Sequence, residues 1–404
     1  MTAIDKTAAA AISKEFYAAG GFHCAAYEDN PGYSVAKKRK ITGKHYDFPV
    51  KYGYAANRSR TAATALSKVN TTQYQEFNVT TVGSYDAKDI EQRALAEVTD
   101  EGAFVDLLTD TIESLGKSLG NGLGEDLFLH TGAALGQVGS IPTATTLQLK
   151  NPSHVTRFYV GQELRSAETD GQSGALQANS ATITALDRDT GILTTDGGGW
   201  VAQMAAIDAD DFLFSDGDFG LGRAGLPAWV PDDTTGLAAA FYGATRSFDA
   251  TRLAGCRQTV TAGTDIVTAL RTLVMRMGRE EAHPDHALMS FDMLADLETQ
   301  IETKVFIDVK AKGIDMGFEA IQVTVGGRRM KCLPDRSCGD DRIYAGNMGV
   351  LEVIHSQDEP IVLDDLDGEL LSRNAAAFSY DLRGSSYSNY VIREPREWGA
   401  LIFT

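Results

Sequence analysis

Residues 77–119 read FNVTTVGSYDAKDIEQRALAEVTDEGAFVDLLTDTIESLGKSL, and this stretch decides the architecture. Its second half carries the strongest helical signal in the chain. Ile90, Ala94, Val98, Val105, Leu108, Ile112, Leu115 and Leu119 recur mostly at three- or four-residue steps, with drift around Gly102. Ser84 or Asp86 is placed to cap the start, and Asp89 and Glu91 suit the positive end of a helix dipole. The run Gly120-Asn121-Gly122-Leu123-Gly124 is a stop signal. The spacing predicts a helix of about 34 residues and about 50 Å, longer than the helices of most compact enzymes and suited to a structural spine. Residues 77–82, just ahead of it, read as a strand.

Upstream lies a charge anomaly. Residues 31–75 carry nine cations (Lys37, Lys38, Arg39, Lys40, Lys44, Lys51, Arg58, Arg60 and Lys68) against one acid, Asp47. The whole chain has 37 basic and 55 acidic residues, so removing this segment leaves 28 against 54: a +8 arm on a −26 body. The segment is rich in Gly, Ala, Ser and Thr, with few large aliphatics in any period. It does not specify a core of its own and is expected to be an extended arm lying on something else. Opposite charges held in separate parts of one chain point to another copy of the chain as partner. Folded back as a hairpin, the arm would have legs of about 20 residues and reach on the order of 60 Å.

The totals bound the rest. At 404 residues the chain has room for two or three domains, and 43% hydrophobic with 23% charged residues is ordinary for a folded, soluble protein. A net charge of −18 argues against broad wrapping of nucleic acid, where affinity comes from cations displacing counterions. Four scattered cysteines (Cys24, Cys256, Cys332, Cys338) form no CxxC pair and read as reduced thiols. The opening residues lack a secretory apolar region, and no window approaches the ~20 apolar residues of a membrane helix. The expectation is a cytosolic protein with no membrane contact.

Along the chain, residues 8–19 read as a short helix ended by Gly20-Gly21, followed by irregular chain through Asn30-Pro31-Gly32. From about 147 to 219 the character changes to short β runs at 157–164, 181–186, 192–195 and 211–214. Asp187-Arg188-Asp189-Thr190-Gly191 is a good turn between two of them, and a small inserted β-barrel is expected. A mixed α/β region follows the Pro-punctuated 226–231. In it, helices at 265–281 (Ile266, Leu270, Leu273, Val274, Met277 on one face) and 291–303 flank a strand at 286–290. Strands follow at 320–325, 328–332, 342–344 and 350–355, and 390–404 ends in an apolar strand.

This order of arm, basic excursion, spine helix, β insertion, mixed α/β region and final strand resembles the major capsid proteins of tailed double-stranded DNA phages, the Hong Kong 97-type coat fold. Short phrases support the resemblance. Residues 77–119 look like that family's exit from the E-loop into the spine helix. HALMSFDML at 286–294 looks like the strand-to-helix step of the A-domain. MKCLPD at 330–335 and DRIYAGN at 341–347 look like the A-domain segment leading into its sheet, and EPREWGALIF at 394–403 looks like the closing strand.

The resemblance implies an α+β coat fold laid out as an N-terminal arm (1–35), an E-loop (36–82), a P-domain with the spine helix (83–146), an inserted β-rich domain (147–222), a P-domain continuation (223–262), an A-domain (263–389) and a C-terminal strand returning to the P-domain (390–404). It implies a shell protein without catalytic centre or cofactor, forming hexamers and pentamers of an icosahedral capsid in the virion, assembled in host cytoplasm and enclosing double-stranded DNA without sequence-specific binding. The nine cations of the arm would contact a neighbour, and the acidic run Asp364, Asp365, Asp367 and Glu369 is a candidate acceptor. Portal and scaffolding proteins are implied partners, and a decoration protein is left open. Lys44, Lys51 and Lys68 lie where some relatives form a Lys–Asn cross-link, but nothing singles one out.

Other motifs weigh little. Gly116-Lys117-Ser118-Leu119-Gly120 matches GxSxG, but the serine falls in helix rather than on a strand-to-helix turn. Gly220-Leu221-Gly222-Arg223-Ala224-Gly225 matches GxGxxG, yet Pro227 and Pro231 deny it the helix that would hold a pyrophosphate. His283 and His286 lack a third convergent ligand. Lys37 to Lys40 with Tyr46, Tyr52 and Tyr54 mix cations and aromatics as single-strand binders do, but an inter-subunit strap fits the acidic body better. The rivals are a nanocompartment shell of the same fold and, from another class, a soluble hydrolase.

Overall fold

The computed structural model describes residues 30–54, 58–67, 71–91, 101–261, 263–304, 321–325, 327–363, 371–373 and 379–403. The expected helix at 8–19, Cys24, Lys68 and the four acids at 364–369 lie outside the described residues.

The spine helix runs over Glu101–Asp126, 26 residues or about 39 Å. Ile112, Leu115, Leu119 and Leu123 form its buried stripe, continued by Leu127 just past its end. Both expected ends are corrected. Val82–Glu91, expected to hold the helix start, is a strand paired along its whole length with Ser379–Ile392, from Val82↔Ser388 to Glu91↔Ser379. The residues there alternate with a period of two: Gly83, Tyr85, Ala87 and Asp89 are exposed, while their neighbours are shielded and Ile90 is buried. Ser84 and Asp86 resembled caps, but no apolar helical period accompanies them.

The glycine run does not stop the helix either. Gly124 lies where a Cβ would collide with the Asn30 side chain, and the Asn30 amide donates to Asn121 Oδ1 at 3.0 Å. The run is therefore a seat for the chain that enters at Asn30. A second close approach fixes the helix on its sheet: a Cβ on Gly384 would come within 2.5 Å of Leu115 and 2.8 Å of Leu119.

Two six-stranded sheets organise the body. The spine sheet centres on Ser379–Ile392, which pairs with Val82–Glu91 on one edge and with Val362–Leu363 and Leu371–Arg373 on the other. Leu351–His355 also pairs with it and carries Lys37–Lys40 in parallel on its far side. The second sheet has the order Cys256–Val260, Trp398–Phe403, Arg342–Gly346, His286–Met289, Arg328–Pro334, Ile321–Val325. Helix Ile266–Arg279 buries Ile266, Leu270, Leu273, Val274 and Met277 in its core, with Asp265 as N-cap; helix Phe291–Lys304 follows.

The chain crosses between the sheets near Met348 and again near Pro395. Strands 351–355 and 379–392 thus share the spine sheet, although the first and most of the second fall in the expected unit 263–389. The closing strand Trp398–Phe403 pairs in parallel with Cys256–Val260, within the expected continuation 223–262, and antiparallel with Arg342–Gly346, within the expected unit 263–389.

The insertion is a closed six-stranded barrel, in the order Phe212–Ser215, Gly136–Ser140, Thr146–Leu149, Ile192–Thr195, Ala181–Asp187, Glu163–Ala167. Val138, Leu147, Phe158, Leu164, Ile183, Leu193, Trp200 and Leu213 fill it. It starts at Gly136, upstream of the expected 147. The β run expected at 157–164 is corrected: Pro152–Arg157 is a 3-10 turn capped by Asn151, and the strand is Glu163–Ala167. Asp187 Oδ1 accepts from the backbone N–H groups of Asp189 and Thr190 at 3.1 and 3.3 Å and shapes the turn that ends at Gly191.

Candidate inter-subunit surfaces

The basic excursion is two structures, not one arm. Its root is a hairpin, His45–Gly53 against Gln73–Thr80, with a bulge between Lys51 and Gly53. Alternation turns Phe48, Val50, Phe77 and Val79 inward, all at most 4% exposed. Phe48 and Phe77 stack at 5.6 Å and meet Trp229 at 6.2 and 5.4 Å, with Phe241 edge-on to Trp229 at 5.1 Å. Trp229 Nε1 donates to the Tyr390 carbonyl at 3.1 Å, which joins this cluster to the long strand. The root is core of its own subunit. Its legs have nine and eight residues, about 30 Å at 3.3 Å per residue rather than the expected 60 Å.

The nine cations divide accordingly. Lys37–Lys40 is a strand of the spine sheet. Lys37 Nζ donates to the Gly349 carbonyl at 3.0 Å and Lys38 Nζ to the Ser34 carbonyl at 2.9 Å. Burial pushes the Lys38 ammonium down to about 8. Arg39 pairs with the shielded Glu352 at 3.2 Å, and Lys40 with Asp358, whose carboxyl that hydrogen bond holds below its usual range. Lys44 is exposed at the entry to the hairpin. Lys51 lies 4.0 Å over the Tyr54 ring, and the Tyr54 hydroxyl donates to Glu281 at 3.2 Å. Arg252 donates to the Tyr52 carbonyl at 3.2 Å.

Past Tyr54, residues 58–67 show no contact with the body among the described residues. Arg58 and Arg60 are exposed and make no ion pair among the described residues. Helix Ala62–Ser67 buries none of its residues, and Leu66 is 75% exposed. The expected acceptors Asp364, Asp365, Asp367 and Glu369 are outside the described residues.

One surface was missed from sequence. The spine sheet's face opposite the helix holds a groove of about 420 Å³ lined by Tyr85, Ala87, Val362, Leu363 and Tyr387. Tyr85 is 70% exposed and meets Tyr387 edge-on at 5.6 Å. The stretch 82–90 has no apolar alternation to announce it; the pairing with Ser379–Ile392 sets which residues face the groove.

Between barrel and body lies a buried polar joint. Arg157 donates to the carbonyls of Leu135 and Ser337 at 3.0 and 2.8 Å. Glu125, on the spine helix, accepts from the Tyr159 hydroxyl at 2.8 Å and pairs with Arg336 at 3.0 Å. Burial raises the Glu125 carboxyl and pushes the Tyr159 hydroxyl up to about 12. Burial also drives His130 and His154 down to about 4 and 3, so both are neutral. Arg157, Glu125, Tyr159 and Arg336 are joinery, bonded to backbone or paired across the junction.

The remaining motif residues fall in structural roles. Ser118 lies well inside the spine helix. Residues 220–225 are loop, followed only by the four-residue helix Leu226–Trp229. His286 Nδ1 bonds Asp285 at 2.7 Å, and the His283 ring meets Arg328. Cys256, Cys332 and Cys338 are buried, which pushes the first two thiols up to about 11 and 12 and so away from reactivity.

No protein-family model and no curated protein matches the chain. Among solved structures, the capsid asymmetric unit of cyanophage A-1(L) is similar at a TM-score of 0.55 and 12% identity, over 93% of this chain and 92% of that one. Microbacterium phage Oxtober96 aligns at 0.47 and 10% identity, over 93% and 91% of the two chains. The SrpI encapsulin complex of Synechococcus elongatus aligns at 0.41 and 9%, over 93% and 88%. The likeness to the cyanophage capsid extends over nearly the whole of both chains, and the fold is the Hong Kong 97-type coat fold with a closed six-stranded barrel.

Proposed function

We propose that this chain is the major capsid protein of a tailed double-stranded DNA phage, a shell subunit that forms hexamers and pentamers and closes around the genome. The observation that carries the reading is the combination of the coat fold with a basic hairpin tip that finds no partner within the described subunit. Arg58, Arg60 and the unburied helix Ala62–Ser67 are a surface built for something outside the chain. Within this reading the hairpin is the E-loop and its tip grips a neighbouring copy. The spine helix and its sheet are the P-domain, the second sheet with its two helices is the A-domain, and the barrel is an inserted domain. Closed symmetry then repeats the same modest contacts until the shell shuts. Portal and scaffolding proteins are the expected assembly partners, and the virion is the place of function.

The test is size and content. Negative-stain microscopy and light scattering of the expressed chain should show capsomers, shells or tubes, and particles from an infected host should contain double-stranded DNA. A stable monomer or dimer at high concentration overturns the reading. Shells that hold protein cargo and no DNA would assign the chain to a nanocompartment instead.

A further inference from the structure

The two helices of the second sheet carry opposite charge on their outer faces. Helix Ile266–Arg279 contains three arginines and no acid. Its core side takes Ile266, Leu270, Leu273, Val274 and Met277, which leaves Arg271, Met275, Arg276 and Arg279 exposed. Helix Phe291–Lys304 exposes Asp292, Asp296 and Glu298, and the only cation in its sequence is the last residue, Lys304. The helix dipole accounts for part of this placement, because Arg276 and Arg279 lie in the last turn of one helix and Asp292 in the first turn of the other. It does not account for Arg271, Asp296 or Glu298, which lie further in.

The two faces are not spent on each other. Arg271, Arg279, Asp292, Asp296 and Glu298 make no ion pair and no side-chain hydrogen bond among the described residues, while Arg276 donates to the Arg257 carbonyl. Each face also presents a large apolar side chain. Met275, one turn from both Arg271 and Arg279, is 55% exposed, and Phe291, next to Asp292, is 51% exposed. Arg, Met and aromatic side chains are the types enriched in protein interfaces, and a thioether and an aromatic ring attract where they meet. In a chain of net charge −18, a helix face with arginines and no acid is not there for solubility.

We propose that the arginine face of helix Ile266–Arg279 on one copy docks on the acidic face of helix Phe291–Lys304 on the next copy, with Met275 against Phe291 between the charged pairs. The two faces differ, so each copy offers one to one neighbour and the other to the second. A head-to-tail contact of this kind closes into a ring when its rotation allows. The inference rests on the shell reading and names a contact inside its rings of five and six, separate from the hairpin tip.

Charge reversal tests it. Arg271→Glu with Arg279→Glu, or Asp292→Lys with Asp296→Lys, changes only exposed side chains and should leave the circular dichroism of the subunit unchanged. Each pair should slow assembly, followed by light scattering, by about tenfold or more. All four substitutions in one chain restore opposite charges and should restore assembly, which separates a lost contact from a lost fold. Mixing the two reversed proteins should also form rings, because copies with two acidic faces can alternate with copies with two basic faces. Alternation needs an even number, so negative-stain images of the mixture should show rings of six in sheets or tubes without closed shells, whose vertices need rings of five. Reversed variants that assemble at the wild-type rate, a fourfold variant that does not recover, or closed shells from the mixture at wild-type yield each overturn this contact and leave the shell reading standing. A wild-type chain that stays monomeric overturns the shell reading, and this contact with it.

Discussion

The root and the tip of the basic hairpin are a few residues apart in sequence and opposite in physics. The root places Phe48, Val50, Phe77 and Val79 in a cluster with Trp229 and Phe241, sealed by the Trp229 indole hydrogen bond to Tyr390. The tip places Leu66 in solvent and offers Arg58 and Arg60 with no ion-pair partner among the described residues. A single extended arm would have to be stabilised entirely by its neighbour. Here the root is held by its own subunit and only the tip stands free of the core, so on the proposed shell reading less conformational freedom is lost when a second copy binds. The difference teaches that charge composition alone does not separate a contact surface from the subunit's own fabric, since Lys37–Lys40 are used inside the subunit, while the alternation of a few aromatic residues marks what stays home.

The sharpest way to break this contrast is at the root. Phe77→Ala removes a fully buried ring from between Phe48 and Trp229 and should cost about 3–5 kcal/mol of subunit stability in urea unfolding. A loss under about 1 kcal/mol would mean that the root is no more part of the core than the tip, and the comparison would collapse.

Much of the architecture was legible in the chain, and the misses have physical causes. The stripe Ile112–Leu115–Leu119 announces the spine helix, and Ile266–Leu270–Leu273–Val274–Met277 announces the helix on the second sheet, because one-sided burial writes a 3.6-residue period. The helix start was misplaced because Ile90 happens to fall in phase with Ala94 and Val98, while what decides 82–91 is a long partner strand nearly 300 residues away. The glycine run at 120–124 reads as a stop only until Asn30 is seen to need the space. Of the candidate contact residues, Lys37–Lys40 were drawn to the arm by charge. Their strand pairing with Leu351–His355 and Arg39's bond to Glu352 are long-range facts that no local pattern encodes.

That strand supplies a finer cut of the same contrast. Arg39 is 42% exposed and shares Glu352 with Arg393, which lies at 3.6 Å. After allowance for solvent screening, Arg39→Met should lower stability by about 1 kcal/mol or less while leaving assembly intact. Lost assembly with unchanged stability would place these cations on a neighbour and return them to the arm.

The smallest expected change in stability belongs to the tip, and it carries the largest expected change in assembly. Arg58→Glu with Arg60→Glu touches no buried group and breaks no ion pair among the described residues, so unfolding should shift by no more than about 0.5 kcal/mol. The same double change replaces two cations by two acids on a surface that, on the proposed reading, approaches a body carrying 54 acidic residues outside the basic segment. Like charges brought together at an interface are strongly disfavoured, so assembly followed by light scattering should slow or fail. Arg58→Lys with Arg60→Lys keeps the charge and should assemble. Added salt should weaken wild-type assembly and narrow its gap to the Glu variant, since screening cuts the reach of these charges to roughly 8–10 Å. If the Glu variant closes shells at the wild-type rate in low salt, the tip grips through Leu66 and its apolar neighbours, and the charge asymmetry that first marks the segment serves only solubility.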